Sequence, residues 1–330
     1  MTGEGAGLRR RDTGRVMLGL GAASFAGGTA RSQGAWPSRP IRVVVPSSPG
    51  GPTDVVTRLI GDRVLAEFGQ PLVIDNRSGG GGMIGFRLAA RAEPDGYTLI
   101  MGNPGPVAIV PHTESHVGYD ILRDFEPVSM VMIVPVMLVV RAEIPVRTPR
   151  ELADYMRAHP GTVAFGSSGP GQSPHMAAEL FGKMADIPML ISPYRGAAPA
   201  VSDLVAGTIQ AMFDTTTALP HTQAGRLRAL AIGSRVRSAL MPDLPTMAEA
   251  GFPGFEISSW YPLFAPAGTP PEIITRLNAV VVRALNDPTA RARLASMNAE
   301  AIPSTPAEAR AFVEGQLVNW GNIVRRIRSS

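Results

Sequence analysis

Cysteine is absent from the 330 residues, which excludes structural disulfides, thiol nucleophiles and every zinc or iron-sulfur site built on thiolates. Lysine is nearly absent: of 31 basic residues only Lys183 is a lysine. No P-loop lysine is therefore available elsewhere, and a Schiff-base enzyme would have to use that one position. After the first 30 residues no stretch approaches the roughly 18 uninterrupted apolar residues of a membrane-spanning helix. Strong charge is also missing. The formal net charge is +4, and residues 1–35 account for +3 of it through Arg9, Arg10, Arg11, Arg15 and Arg31 against Glu4 and Asp12. The remaining chain stands at +1, and no basic stripe recommends a nucleic-acid partner.

What is present fits a compact chain of many short elements. Hydrophobic residues make up 45%, while 36 glycines and 31 prolines are scattered along the sequence without forming a low-complexity tract, a spread that favours alternating α/β structure over a helix bundle. At the start, Arg9, Arg10 and Arg11 precede an uncharged stretch rich in Leu, Gly and Ala that ends in small residues. The pattern is that of a cleaved export signal over residues 1–35. Its apolar segment is too short for a membrane span, which needs about 20 residues. The arginine run favours twin-arginine export, with the general secretory route as the alternative, and Gly28 and Ala30 suit cleavage after Ala30. The expected location is the periplasm.

Strand-like runs then alternate with amphipathic helices: a strand at 41–46 (IRVVVP), a helix at 53–68, a strand at 72–75, a helix at 83–92 and a strand at 97–101. This predicts a mainly parallel sheet covered by helices. A Thr-Pro-x-Glu pattern at Thr148, Thr269 and Thr305 predicts capped helices starting near 149, 270 and 306. Two long extended segments, 128–141 (VSMVMIVPVMLVVR) and 255–265 (FEISSWYPLFA), exceed the usual strand of about 5–6 residues. They are expected to cross between two lobes, one formed by 36–135 with 260–330 and the other by 136–259, with a ligand cleft between.

Two loops carry the chemistry. PSSPGGPTD (46–54) follows the first strand and opens a helix, so Gly50 and Gly51 allow close approach while helix amides point toward a carboxylate or phosphate. Asp54, in the first helical turn, is either a ligand contact or a carboxylate serving the helix start. FGSSGPGQSPH (165–175) repeats the design after a strand expected at 162–165, with Ser167, Ser168 and Ser173 adding hydroxyls beside the amide of Gly169.

Other motifs fail on context. GGGMIG (80–85) matches G-x-G-x-x-G, but the turn is lengthened by Arg77, Ser78 and Gly79, and no ribose-binding carboxylate ends the next strand. Ser168 lacks the second glycine of a nucleophile elbow, and no third member is identified for a pair with His175. His112, Glu114 and His116 have the wrong order for a zincin and are expected on a solvated loop. No catalytic residue, metal or cofactor is expected.

The sequence is identified as a member of the extracytoplasmic receptors of tripartite tricarboxylate transporters, the TctC or Bug family. The stretches that carry the resemblance include PSSPGGPTD, PLVIDNRSGGGGMIG (71–85), PDGYTLIMGN (94–103), FGSSGPGQSPHMAAELF (165–181), PYRGAAPAVSDLVAG (193–207) and PDLPTMAEAGFPGFE (242–256). The resemblance implies an α/β chain of two Rossmann-like lobes joined by two crossover strands, the type II periplasmic binding protein fold. It also implies a monomeric receptor that hands a small carboxylate to transporter membrane subunits. The implied ligand is a dicarboxylate, tricarboxylate, acidic amino acid or aromatic acid, and the implied contacts are Pro49, Gly50, Gly51, Thr53 and Asp54 from one lobe. From the other lobe come Ser167, Ser168, Gly169, Ser173, His175, Tyr194, Arg195, Gly196 and Asp214, with the loop from Asn103 to Val107 bordering the cleft. Ser47 stands where the family often has Phe, and Arg195 where Lys is common. A sensing receptor for a signalling partner, or a periplasmic hydrolase, are the alternative functions.

Overall fold

The computed structural model describes residues 36–329, and the expected export segment lies outside the described residues. In chain order the first elements are β1 (Ile41–Val45), α1 (Pro52–Phe68), β2 (Leu72–Asn76), α2 (Met83–Ala89), β3 (Thr98–Met101), α3 (Val110–Thr113) and β4 (Phe125–Pro135). The chain continues through β5 (Met137–Arg141), α4 (Pro149–Ala158), β6 (Ala164–Ser167), α5 (Ser173–Ala185), β7 (Leu190–Pro193), α6 (Ala197–Ala206), β8 (Ala211–Asp214), α7 (Leu219–Gln223) and β9 (Leu227–Ile232). It ends with β10 (Ser258–Pro266), α8 (Pro271–Asn286), α9 (Pro288–Ala295), β11 (Glu300–Ala301) and α10 (Pro306–Arg328).

The strands form two sheets, ordered β11-β4-β10-β3-β1-β2 and β7-β6-β8-β5-β9. Each contains a parallel trio, β2-β1-β3 in the first and β7-β6-β8 in the second. Beside each trio lies an antiparallel strand, β10 or β5, that begins just after the chain has passed from the other sheet. The two halves thus share one topology, each completed by a strand arriving from its neighbour.

Local composition explains the central elements. β1 reads IRVVV and buries Ile41, Val43, Val44 and Val45, as expected for β-branched residues on a strand covered on both faces. α1 docks through Val56, Ile60 and Val64. Each such side chain contributes about 1.5–3 kcal/mol, against at most about 1 kcal/mol for an exposed pair such as Arg63 and Glu67, so the apolar face decides its seat. Gly69, at φ +67°, ends the helix by donating its N–H to Leu65 O, a left-handed cap for which glycine is the low-cost residue.

Several expectations are corrected. The strand expected at 162–165 is β6, Ala164–Ser167, because its register is set by β7 and β8 on either side, where Gly166 and Ser167 fit the crowded centre. The helix expected to reach 92 closes its last regular turn at Ala89. Thr148 and Thr305 cap α4 and α10, the latter with a complete capping box through Glu308. Thr269 does not cap: a second proline moves the start of α8 to Pro271, and the Thr269 hydroxyl donates to Pro266 O at 2.7 Å. His112 is not on a solvated loop, since it lies in α3 with Nε2 2.8 Å from Leu317 O of α10.

The first long segment is two strands in different sheets, β4 and β5, with Val136 between them. The second becomes regular only at Ser258. Gly233, leaving β9, ties them together: its N–H donates to Val136 O at 2.7 Å, and its carbonyl accepts from Ile257 N–H at 2.7 Å. A Cβ there would lie 2.5 Å from Ile257 O, which is backbone and cannot turn away. Gly233→Ala is therefore expected to cost roughly 1–3 kcal/mol through overpacking. A chemical denaturation midpoint equal to that of the parent would show that the crossovers are not fastened here.

Candidate functional site

Both halves place a strand, a glycine-containing loop and a helix N-terminus at the carboxyl edge of the parallel trio, the edge where open α/β sheets receive ligands. In the first half the loop runs from Pro46 to Gly51, between β1 and α1. Gly50 adopts φ +82°, and a Cβ on it would stand in open space. The loop is braced from behind by Asp54, which is 3% exposed. Its carboxylate accepts from Gly50 N–H at 3.1 Å, from Arg58 at 2.9 and 3.1 Å and from Asn76 Nδ2 at 3.2 Å. Asn76 also donates to Ser47 O at 3.1 Å. Burial alone would raise the Asp54 carboxyl, but the hydrogen bonds from Arg58, Gly50 and Asn76 outweigh it and hold the group below the usual carboxylate range. The brace is therefore complete above the ordinary carboxylate pKa and is lost as pH falls through the lowered value.

The second half has the more crowded loop. Ser167, the last residue of β6, is fully buried. Its hydroxyl shares a hydrogen bond with His175 Nδ1 at 2.9 Å and accepts from Gly169 N–H at 3.2 Å. His175 Nε2 lies 3.2 Å from Glu179, so a third member does stand in line with Ser167 and His175, one turn further along α5. Because Ser167 is enclosed, that line is a brace for the loop and offers no accessible nucleophile. Ser173 is also buried, and its hydroxyl pairs with that of Ser259 on β10. Among the described residues Ser168 alone of the three serines keeps its hydroxyl free of protein partners. Gly169, at φ +125°, packs beneath Tyr194 O, and Tyr194 N–H donates to Ser167 O at 2.9 Å.

Tyr194, Arg195 and Gly196 lead into α6. Tyr194 Oη donates to Asp203 at 2.7 Å; burial and that carboxylate push the phenol up to about 12. Arg195 is exposed and forms no ion pair among the described residues. A Cβ on Gly196 would meet open space, as on Gly50. Asp214, at the end of β8, is 1% exposed and accepts from Ala218 N–H at 2.8 Å. Its burial raises the carboxyl despite N–H donors from Ala218, Thr215 and Thr217. Asn103, after β3, accepts Gly105 N–H at 3.0 Å and so shapes the wide turn Gly105–Ile109.

The expected residues fall into two groups, one at the carboxyl edge of each parallel trio. Pro49, Gly50 and Gly51 lie at the start of α1 with Thr53 buried beside them; Ser168 and Gly169 precede α5, and Gly196 precedes α6. Asp54, Ser167, Ser173 and Asp214 sit behind these surfaces as braces. Sequence reasoning missed Arg58, Asn76, Glu179, Ser259 and Gln172, of which Asn76, Ser259 and Gln172 have partners set by tertiary contacts. Arg58 and Glu179 had a local signal, each standing four residues from its partner. Among the described residues three helices carry side-chain caps and the other seven, α2, α3, α7 and α8 included, have none. α4, α9 and α10 carry side-chain caps from Thr148, Asp287 and Thr305, whereas α1, α5 and α6 have none. Their first amides are left for another acceptor. Cavities of about 450 and 210 Å³ lie elsewhere, against Ile84 and Arg87 on α2 and against Met156 and Leu190.

No helix of the described residues is long and apolar enough to cross a membrane, and those residues contain no cluster of three His, Asp or Glu able to hold a metal. A model of the tripartite tricarboxylate transporter family receptor, TctC, matches residues 56–328. BugT of Bordetella pertussis is 38% identical over 292 residues, which span 88% of this chain and 90% of that protein. Rpa4515 of R. palustris, solved with adipate, has a TM-score of 0.84 and 36% identity, covering 88% of this chain and 98% of its own. MatC from Rhodopseudomonas palustris with bound malate has a TM-score of 0.82 and 34% identity, covering 88% and 100%. These likenesses make the paired sheets a type II periplasmic binding fold. The chain belongs to the TctC, or Bug, family of solute receptors and is a binding protein, not an enzyme.

Proposed function

We propose that this protein captures a small carboxylate in the cleft between its halves and passes it to the membrane subunits of a tripartite transporter. The observation that carries this is that the helices starting at the carboxyl edges of the two parallel trios, α1, α5 and α6, begin without a side-chain cap behind glycine-containing loops. Unpaired amides at a helix N-terminus attract a carboxylate through directed hydrogen bonds and the aligned peptide dipoles. Two neighbours hold adipate and malate, acids with a carboxylate at each end, which suits one amide cluster per half.

Roles follow from what each residue touches. Pro49, Gly50, Gly51 and Thr53 present the first cluster; Gly169, Gly196 and the free Ser168 hydroxyl present the second. Arg195 stands at the rim as an unpaired cation, able to clasp a carboxylate with its planar fork. Asp54, Asn103, Ser167, Ser173, His175, Tyr194 and Asp214 hold the loops in shape. The lobes, 36–135 with 260–330 and 136–259, rotate about the crossovers at Val136 and Ile257. Export through the leader at 1–35 places the receptor in the periplasm as a monomer.

Calorimetry across adipate, malate and their diamides is expected to show binding of at least one acid and affinity roughly a hundredfold weaker for its amide. The acid is expected to be recovered unchanged. Equal affinity for an acid and its neutral amide would remove the case for a carboxylate site.

A further inference from the structure

The two halves also meet beside the loop that precedes α5. Gln172 is the residue immediately before α5, in the N-cap position, yet its side chain does not cap that helix. It reaches across to the first half, where Nε2 donates to Gly81 O at 3.2 Å. Around this bond glycines of both halves lie close to the opposite half. A Cβ on Gly81 would stand 3.6 Å from Pro170 O, and one on Gly171 would stand 3.4 Å from Val110 Cγ2.

Gly105 is the informative position. Gly81 and Gly171 have φ of +65° and +71°, so their backbones favour glycine whatever lies nearby. Gly105 is not among the residues with positive φ, so its backbone makes no such demand. A Cβ there would nonetheless come within 2.7 Å of Gln172 Nε2 and 3.0 Å of Gly171 O, both from the opposite half. The third of the nearest atoms, Asn103 Oδ1 at 3.1 Å, belongs to its own half. Two of the three atoms nearest a side chain at 105 thus belong to the other half, and of these the Gly171 carbonyl, being backbone, has less freedom to yield than the Gln172 amide. Gly105 also opens a turn of the wide, π-helical kind, Gly105–Ile109, a geometry that recurs at functional sites.

We infer that Gln172 and the bare surface of Gly105 form a latch, made only when the halves close, that sets how long a bound acid is held. This rests on the reading of the protein as a closing carboxylate receptor. Gln172 and Gly105 are positioning residues: they act on the acid through closure. The physical reason is that a hydrogen bond between the halves adds to the closed state and is replaced by water in the open one. Losing it raises the rate of opening, while the encounter of acid with the open cleft is unchanged.

The experiment uses the exported protein and a panel of citrate, malate, adipate, glutamate and benzoate. Wild type is first titrated with each acid, and its radius of gyration is measured with and without the one bound best. Stopped-flow release of that acid is then compared for wild type, Gln172→Ala and Gly105→Ala, together with the melting temperature of each ligand-free protein. Gln172→Ala is expected to release the acid about five- to tenfold faster, the worth of one hydrogen bond, with association changed less than twofold. Gly105→Ala is expected to release it at least tenfold faster and to stay expanded at saturating acid. Ligand-free melting temperatures are expected to match, which a merely structural role would not give. Release from both variants at the wild-type rate with full compaction overturns the latch alone. Wild type that binds none of the five acids, or binds without compaction, overturns the closing-receptor reading and the latch with it. If Gly105→Ala melts early, Gln172→Ala decides, because its change removes side-chain atoms and adds none.

Discussion

Ser168→Trp is expected to abolish acid binding while the ligand-free protein keeps the wild-type melting temperature. Ser168 is half-buried on the loop between β6 and α5, and its hydroxyl has no partner among the described residues. None of the three hydrophobic core clusters includes it, so the indole has no core position to fill and must project from the loop. On the proposed reading it there meets the space that the acid and the approaching first half would occupy. The neighbouring serines would respond differently. Ser167→Trp would drive a large side chain into a fully buried strand end flanked by His175 and Gly169, and unfolding would be the result. Calorimetry and small-angle scattering check the Ser168 variant together. Normal binding by Ser168→Trp would show that this loop does not line the cleft, and the assignment of the second cluster would fail.

The second large effect concerns Asp214. Asp214→Ala is expected to destabilise the protein by roughly 2–4 kcal/mol, because amides that now point at a carboxylate would be left buried without an acceptor. Asp214→Asn keeps an acceptor oxygen in place and is expected to lose much less. The pH dependence separates the two forms. Burial raises the Asp214 carboxyl above its unfolded value, so its ionisation in the native state opposes folding. The penalty is absent below the unfolded pKa and develops as pH rises through the raised native value. Wild type is thus expected to lose stability relative to Asp214→Asn as pH is raised from about 4 toward 7. Denaturant midpoints at both ends of that range provide the measurement. A difference that stays constant with pH would mean that Asp214 titrates as an ordinary carboxyl.

The largest elements and the two loops were legible from the residues themselves. β1 is recognisable because IRVVV is continuous and β-branched, and α10 because Thr305, Pro306 and Glu308 stand at capping positions within one turn. The loops at Gly50 and Ser168 announced themselves through glycine and serine placed between a strand and a helix. Thr269 shows the limit of such local rules, since one additional proline displaced the helix start and gave the hydroxyl a different acceptor.

What the sequence by itself determined was the alternation of elements, the two candidate loops and the family. Those depend on chemistry among residues a few positions apart, which a linear reading captures. Tertiary structure alone decided which polar groups are free and which are braces. Ser173 is taken up by Ser259, Asp54 by Asn76, and Gln172 by Gly81, partners separated by 86, 22 and 91 positions. A hydroxyl or carboxylate has few hydrogen-bonding sites, and whether one is left for a ligand depends on every group that folding brings within about 3 Å.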